Sequence, residues 1–407
     1  MDSVHTPLEL LDRRRPENPV AIVRPHRVEA AAKWFQAHIP GQIFYAVKAN
    51  PAPWALDALW RAGVRGFDVA SEAETRLVAE RFPNAKLAFM HPVKSRRAIA
   101  SAFHDYGVRA FAFDSAEELE KILAETNGAR DLTLIVRLAV SNEGANLPLT
   151  QKFGASALEA PALLRLARQA TDGQMGVSFH VGSQCMRPLA YAQAMADVSR
   201  AISRAGIVVD VVDVGGGFPA IYPGMEPPSL AAYANEISRG FEHMLVTQDA
   251  ELWAEPGRAL VAEAGSILAR VELRKDGALY LNDGAYGNLF DAAHVGWRFP
   301  VKLMRASDAP LIPFKFYGPT CDSIDAAAGP FELPADIAEG DYIEIGMTGA
   351  YATALGTRFN GFGETEIVIA HDAPWPSLYD VVVEETPMAQ VIRLDASRKS
   401  KPRSRVR

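Results

Sequence analysis

Ile43-Phe44-Tyr45-Ala46-Val47-Lys48-Ala49-Asn50-Pro51 is an apolar run that ends on an amine. Positions 43–47 read as a buried strand, and a helix-period stretch at 53–62 follows at once. The same unit recurs along the chain. Short β-rich runs at 66–71, 86–91, 109–114, 132–140, 176–183, 208–215 and 252–257 are interleaved with helical patterns such as 73–81, 116–124, 158–170, 189–205 and 230–246. Eight strands with crossover helices predict an α/β fold, a parallel (β/α)8 barrel of the TIM type, with its chemistry at the C-terminal strand ends. An open doubly wound sheet is the competing arrangement, and the strict alternation favours closure.

After about residue 266 the helical period fades. Strand-like runs at 267–274, 278–282, 314–317, 341–346 and 366–370 follow one another between Pro and Gly turns. The expected organisation is a barrel over 26–265, a mainly β domain built from 1–25 and 266–390, and a basic tail at 391–407, expected to be disordered. The 407 residues are 49% hydrophobic and 22% charged, which is globular composition. A net charge of −7 gives no reason to expect nucleic acid as a partner, and the basic tail reads as a solvated segment. Two cysteines, Cys185 and Cys321, exclude a disulfide framework and suit a reducing compartment. The apolar stretch at 8–11 is too short for a signal core and no run reaches membrane-spanning length. A cytoplasmic protein without a membrane partner is therefore expected.

Each barrel strand end carries something polar. Lys48 closes the first, Asp68 and Ser71 lie on the second, Arg137 interrupts the apolar fifth, and His180 and Ser183 lie on the sixth. The seventh ends in Asp213-Val214-Gly215-Gly216-Gly217-Phe218-Pro219 and the eighth in Glu255-Pro256-Gly257-Arg258. Singly, each has a plain reading: a surface lysine, a satisfied core histidine, an Asp68–Arg137 pair that neutralises itself, a tight glycine turn. The glycine run is not a dinucleotide fingerprint, because Gly-x-Gly-x-x-Gly is absent. Placed together at one rim they describe a site for a phosphorylated aromatic aldehyde. Backbone N–H groups of the glycines, the Ser183 hydroxyl and the Arg258 guanidinium suit a phosphate. Glu255 suits a protonated pyridine nitrogen and Lys48 a Schiff base, which together specify pyridoxal 5'-phosphate; no metal is called for.

The segments Tyr45-Ala46-Val47-Lys48-Ala49-Asn50, His180-Val181-Gly182-Ser183-Gln184, Gly215-Gly216-Gly217-Phe218-Pro219, Glu255-Pro256-Gly257-Arg258 and Gly318-Pro319-Thr320-Cys321-Asp322-Ser323 resemble the ornithine/lysine decarboxylase family of barrel-type pyridoxal-phosphate enzymes. The likeness runs from about Val23 to Gly363. It implies that Lys48 carries the cofactor, His180 stacks on its ring, Glu255 meets the ring nitrogen, and Asp68 and Arg137 support the lysine and ring substituents. It further implies that Ser183, Gly216, Gly217, Gly257, Arg258 and Tyr351 hold the phosphate end. Cys321 would protonate the carbanion left after decarboxylation, while Asp322 and Asp291 would grip the far ammonium of a diamino acid. The Tyr286-to-Asp291 spacing is shorter than the eukaryotic members of the family lead one to expect. The family also implies a homodimer with shared active sites, with Lys152 and Asp325 as a cross-subunit ion pair and Phe359 at the interface. The activity so implied is decarboxylation of L-ornithine to putrescine, with L-lysine as near neighbour, since one methylene in a pocket is worth only about 1–3 kcal/mol. Diaminopimelate and arginine decarboxylases, a barrel racemase and a non-catalytic binding homologue are the alternatives. The last would be expected to lack Lys48 or Cys321, and both are present.

Overall fold

The computed structural model describes residues 2–148 and 152–379. Eight parallel strands, β1 (Gln42–Ala46), β2 (Gly66–Val69), β3 (Lys86–Phe89), β4 (Ala110–Phe113), β5 (Thr133–Arg137), β6 (Met175–Ser178), β7 (Val209–Asp213) and β8 (Val246–Ala254), close into a barrel in sequence order. β8 pairs with β1, which excludes the open sheet. Most strands are apolar on both faces, which belong to different cores. Phe44, Ala88, Met90, Ala110, Ala112, Ile135, Val211 and Trp253 form a cluster of their own inside the barrel, with the Phe44 and Trp253 rings 4.3 Å apart. Tyr45, Phe67, Phe89 and Phe111, one residue out of phase, join the larger core under the helices. The barrel is therefore packed solid, and only its rim can take a ligand. Truncating Trp253 to alanine would cost about 3–5 kcal/mol.

Serine caps start several helices on the return path. Ser71, Ser95 and Ser115 accept from the N–H groups of Glu74 (3.2 Å), Ala98 (3.1 Å) and Glu118 (3.3 Å), each worth about 1 kcal/mol. The helices Pro25–His38 and Arg96–His104 were not singled out by the sequence pattern. Pro25–His38 packs against Pro53–Arg61 and the four-residue helix Arg258–Val261, filling the helical layer where the segment after β8 is too short to do so. The sixth strand is also shorter than the 176–183 run. β6 stops at Ser178, and Ser183–Cys185 turns away to pair antiparallel with Ala145–Leu147. Gly182, with φ +94°, makes that turn. His180 thus stands on a loop, free of sheet register. The 230–246 stretch likewise divides into a helix ending at Phe241 and the start of β8.

The second sheet is mainly antiparallel and draws on both ends of the chain. Gly265–Lys275 pairs with Val20–Val23, Ala278–Leu281 and Tyr342–Ile345, and Glu366–Ala370 lies parallel between Asp2–Val4 and Val20–Val23. The strands Leu311–Tyr317 and Ala326–Pro334 extend it as a hairpin. The fully buried Arg24, between the strand Val20–Val23 and the helix Pro25–His38, ties this domain together, donating to Asp372 (2.7 Å), Ser266 (2.8 Å) and Glu344 (2.8 Å). The expected basic tail at 391–407 lies outside the described residues. Among those described, no helix is long and apolar enough to cross a membrane.

Candidate active site

The strand ends converge on one cavity of about 590 Å³, and all eleven residues assigned above to the cofactor line it. Lys48 stands in the turn Val47–Ala49 that follows β1. Its Nζ donates to Asp68 Oδ2 on β2 at 3.0 Å, and the 45% of its side chain that stays accessible is cavity wall. Burial works against its charge, but the Asp68 and Glu255 carboxylates and Tyr351 overcome it, so the ammonium is held above the usual lysine range. Asp68 is thus placed to stabilise the ammonium form, and Lys48 must give up a proton before its amine can act as a nucleophile.

His180 Nδ1 accepts from the Gly182 N–H at 3.0 Å. Burial, followed by the charges of Arg137 and Lys48, pushes the imidazole well below its ordinary pKa. The ring is thus neutral with its proton on Nε2, suited to lie flat against another neutral face. The glycine turn after β7 approaches this ring closely. A Cβ on Gly216 would lie 3.1 Å from His180 Nε2, and one on Gly217, at φ +104°, 2.5 Å from the Gly182 carbonyl. Only a backbone without side chains fits there, and it leaves room for a phosphate. The β domain contributes Tyr351, whose N–H donates to Ala49 O at 2.9 Å, while Asn50 Nδ2 donates to Gly349 O at 2.8 Å. These bonds tie the tyrosine loop to the Lys48 turn.

Two buried polar atoms facing this region have no partner among the described residues: Glu255 Oε1 and Arg258 Nε. A buried unsatisfied acceptor and donor each call for a ligand group. A ring N–H and a phosphate oxygen meet those two demands, so the residues fit pyridoxal phosphate. Arg258 is held from behind, its Nη1 donating to Tyr222 Oη at 2.9 Å and Asp291 Oδ2 at 3.1 Å, with its guanidinium 4.4 Å from the Trp297 ring. Asp291, assigned by resemblance to the substrate, is buried in the short π-helical turn Asp291–Val295 and engaged with Arg258; it does not line the cavity. Burial raises its pKa and Arg258 opposes that rise.

Cys321 and Asp322 lie elsewhere on the same chain. They line a second cavity of about 950 Å³ on the β domain. Cys321 is exposed, its Sγ 3.2 Å from Asn360 Oδ1. Tyr286 Oη donates to Asp322 Oδ2 at 2.6 Å, and that bond holds the carboxylate below its usual pKa. Asp325 is 2% exposed, and accepts from Ala285 N (2.6 Å), Thr320 N (3.0 Å) and Thr320 Oγ1 (2.8 Å). In this conformation it clamps the Cys321 loop. Lys152 lines the first cavity beside Phe153, and Phe359 is exposed, 4.8 Å from the Tyr286 ring. The sequence reading passed over His91, just beyond β3, which lines the cavity and meets Phe153 edge-on at 5.1 Å. Its place at a strand end was the available signal. It also gave no role to Asp213, buried behind Glu255.

Comparison with known proteins agrees with this geometry. Residues 25–262 match the pyridoxal binding domain of the pyridoxal-dependent decarboxylases. A lysine/ornithine decarboxylase of Selenomonas ruminantium is 32% identical over 89% of this chain and 92% of its own. Antizyme inhibitor 2 of Xenopus laevis is 32% identical over 80% of this chain and 74% of its own. The crystal structure of a Paramecium bursaria Chlorella virus arginine decarboxylase bound to agmatine superposes with a TM-score of 0.78 at 27% identity, covering 89% of this chain and 98% of that one. The chain belongs to the pyridoxal-dependent decarboxylases, with the (β/α)8 barrel as its pyridoxal binding domain.

Proposed function

We propose that this protein removes the α-carboxyl group of a basic amino acid, L-ornithine first and L-lysine second, releasing putrescine or cadaverine, as a homodimer in the cytoplasm. The observation that carries the reading is the pairing of a cofactor-shaped cavity around Lys48 with a separate Cys321–Asp322 loop on the same chain. Bound pyridoxal phosphate supplies an electron sink for the carbanion formed as carbon dioxide departs. Everything else falls to the chain. Lys48 would hold the cofactor through its aldehyde, its amine standing at the cavity wall where the substrate amine would compete for the same position. Asp68 stabilises the ammonium form of Lys48. Glu255 would favour a protonated ring nitrogen, the neutral His180 ring would offer a packing face, and Arg258 with the glycine turn and Ser183 would hold the phosphate.

Cys321 and Asp322 act in the site of a second copy. The exposed Ile324 and the exposed Phe359 and Phe362 of the segment whose Asn360 meets Cys321 supply apolar area for such an interface. Cys321 Sγ–H would deliver a proton to Cα. Asp322, oriented by Tyr286 Oη, would meet the distal ammonium. An uncharged side chain would leave that carboxylate desolvated and unpaired, so selection for a cationic terminus should be strong. The similarity to a lysine/ornithine decarboxylase supports this choice over a diaminopimelate substrate, whose far end carries a carboxylate as well. The test is carbon dioxide release from ornithine, lysine, arginine and meso-diaminopimelate with pyridoxal phosphate present. Preference for ornithine, or comparable rates on ornithine and lysine, supports the reading. Activity confined to arginine or diaminopimelate overturns the substrate assignment. No activity on any of the four would favour the binding-protein class represented by antizyme inhibitor 2.

A further inference from the structure

Asp213 is the last residue of β7 and stands in register with Trp253 on β8, two residues before Glu255. The Glu255 N–H donates to Gly215 O at 2.9 Å, which draws the two strand ends together. Asp213 is 1% exposed and Glu255 8%. Both carboxyl groups thus sit at neighbouring strand ends, out of water. Asp213 Oδ1 accepts from the Gly215 N–H at 2.7 Å, and Asp213 Oδ2 has no donor among the described residues; neither has Glu255 Oε1. Two buried carboxyl groups so placed cannot both be ionised without a donor between them, and a shared proton supplies one.

We propose that Asp213 and Glu255 form one acid pair that stores a proton behind the cofactor and hands it to the ring nitrogen, with Asp213 acting as a positioning residue that sets the acidity of Glu255. The inference rests on the proposed placement of Glu255 against that nitrogen. Handing over the shared proton would take the pair from one negative charge to two, a state made tolerable because the ring N–H, now carrying that proton and its positive charge, would donate to Glu255 in its place. Asp213 touches neither cofactor nor substrate, and only Glu255 lines the cavity.

The surroundings favour storage. Burial, then the charges of Asp213 and Asp68, push Glu255 far up, against Lys48 and Arg137. Burial pushes Asp213 up to about 7, against the Gly215 N–H, the bond to Glu255 and Arg137, with Asp68 adding to the rise. The charged groups facing the pair are thus Asp68 from β2, Lys48 from the turn after β1 and Arg137 from the end of β5. Both carboxyls are thereby made readier to keep a proton than an exposed carboxylate.

The test is infrared titration of the full chain freed of cofactor, reading the C=O stretch of a protonated carboxylic acid. The wild type should show the band at neutral pH. Asp213→Asn keeps the shape and offers Glu255 an amide donor in place of a like charge, so the midpoint should fall by roughly one pH unit or more. Glu255→Gln should lower the Asp213 midpoint in the same direction, which preserves the test if the first variant fails to fold. Calorimetric titration with pyridoxal phosphate in buffers of different ionisation heat adds a proton count. The wild type should take up roughly one proton fewer than Asp213→Asn, because it draws on the stored one. Absence of the acid band at neutral pH, or a band unmoved by both variants, overturns the acid pair. A moving band with an equal proton count in wild type and variant overturns the hand-over. Failure of the wild type to bind pyridoxal phosphate while the band is present overturns instead the cofactor reading on which the hand-over rests.

Discussion

Asp291→Ala tests how the phosphate anchor is held. Asp291 and Arg258 form an ion pair at 3.1 Å with side chains 8% and 4% exposed, so removal of the carboxylate strands a buried guanidinium. Breaking one partner of a buried pair costs about 3–5 kcal/mol. Tyr222 Oη at 2.9 Å remains as the neutral acceptor, and Arg258 Nε already lacks one. Asp291→Asn retains an acceptor oxygen and should recover about 1 kcal/mol of the loss. A cofactor phosphate brings a new anion to Arg258, so bound pyridoxal phosphate should stabilise Asp291→Ala by more than it stabilises the wild type. The assay is urea unfolding of wild type and both variants, with and without cofactor. The reasoning fails if Asp291→Ala unfolds within about 1 kcal/mol of wild type in the absence of cofactor. It fails equally if cofactor protects the two proteins to the same extent. Loss of ornithine turnover with unchanged apoprotein stability would place Asp291 at the substrate rather than behind Arg258.

Three further outcomes are expected. Mixing inactive Lys48→Ala with inactive Cys321→Ala subunits should restore part of the activity, because a mixed dimer contains one intact site; no recovery after demonstrated subunit exchange refutes the shared site. Gly217→Ala places a Cβ 2.5 Å from the Gly182 carbonyl at φ +104°, a strain of about 1–3 kcal/mol, and equilibrium binding should show weakened affinity for pyridoxal phosphate. The buried Lys94 is pushed down to about 8, first by burial, against its ion pair with Glu118 at 2.9 Å. The unfolded chain therefore binds the extra proton above pH 8, so wild-type stability should rise with pH between about 8 and 10 by a few kcal/mol, and Lys94→Met should lack that slope in denaturant titrations.

Much of this protein was legible without coordinates because its information is local and periodic. Runs such as 43–47 and 66–71, each followed by an amphipathic stretch, specify strand and helix through nearest-neighbour sterics and burial. Alternation then dictates a barrel, and the barrel dictates that Lys48, Asp68, Arg137 and Glu255 meet at one rim, whatever their separation in sequence. The glycine run and the serine caps are equally local.

What the chain alone could not convey is who faces whom at the rim and behind it. That the 20–23 strand pairs with 265–268, and that 366–370 runs parallel beside it, depends on contacts hundreds of residues apart with no periodic trace. Asp291 is assigned by resemblance to the distal ammonium of the substrate, and the fold buries it against Arg258, 33 positions away, where a paired charge is cheaper than a solitary one. That Asp325 also closes the loop presenting Cys321, through Ala285 and Thr320, has no trace in the sequence. Asp213 passes for the last residue of a strand, and only the closed barrel turns it toward Glu255. The residue types and their order determined the cofactor chemistry and the scaffold. The tertiary structure decided the protonation states and partners of the carboxylates, because these depend on burial and on charges brought within a few ångströms by strands that are remote in sequence.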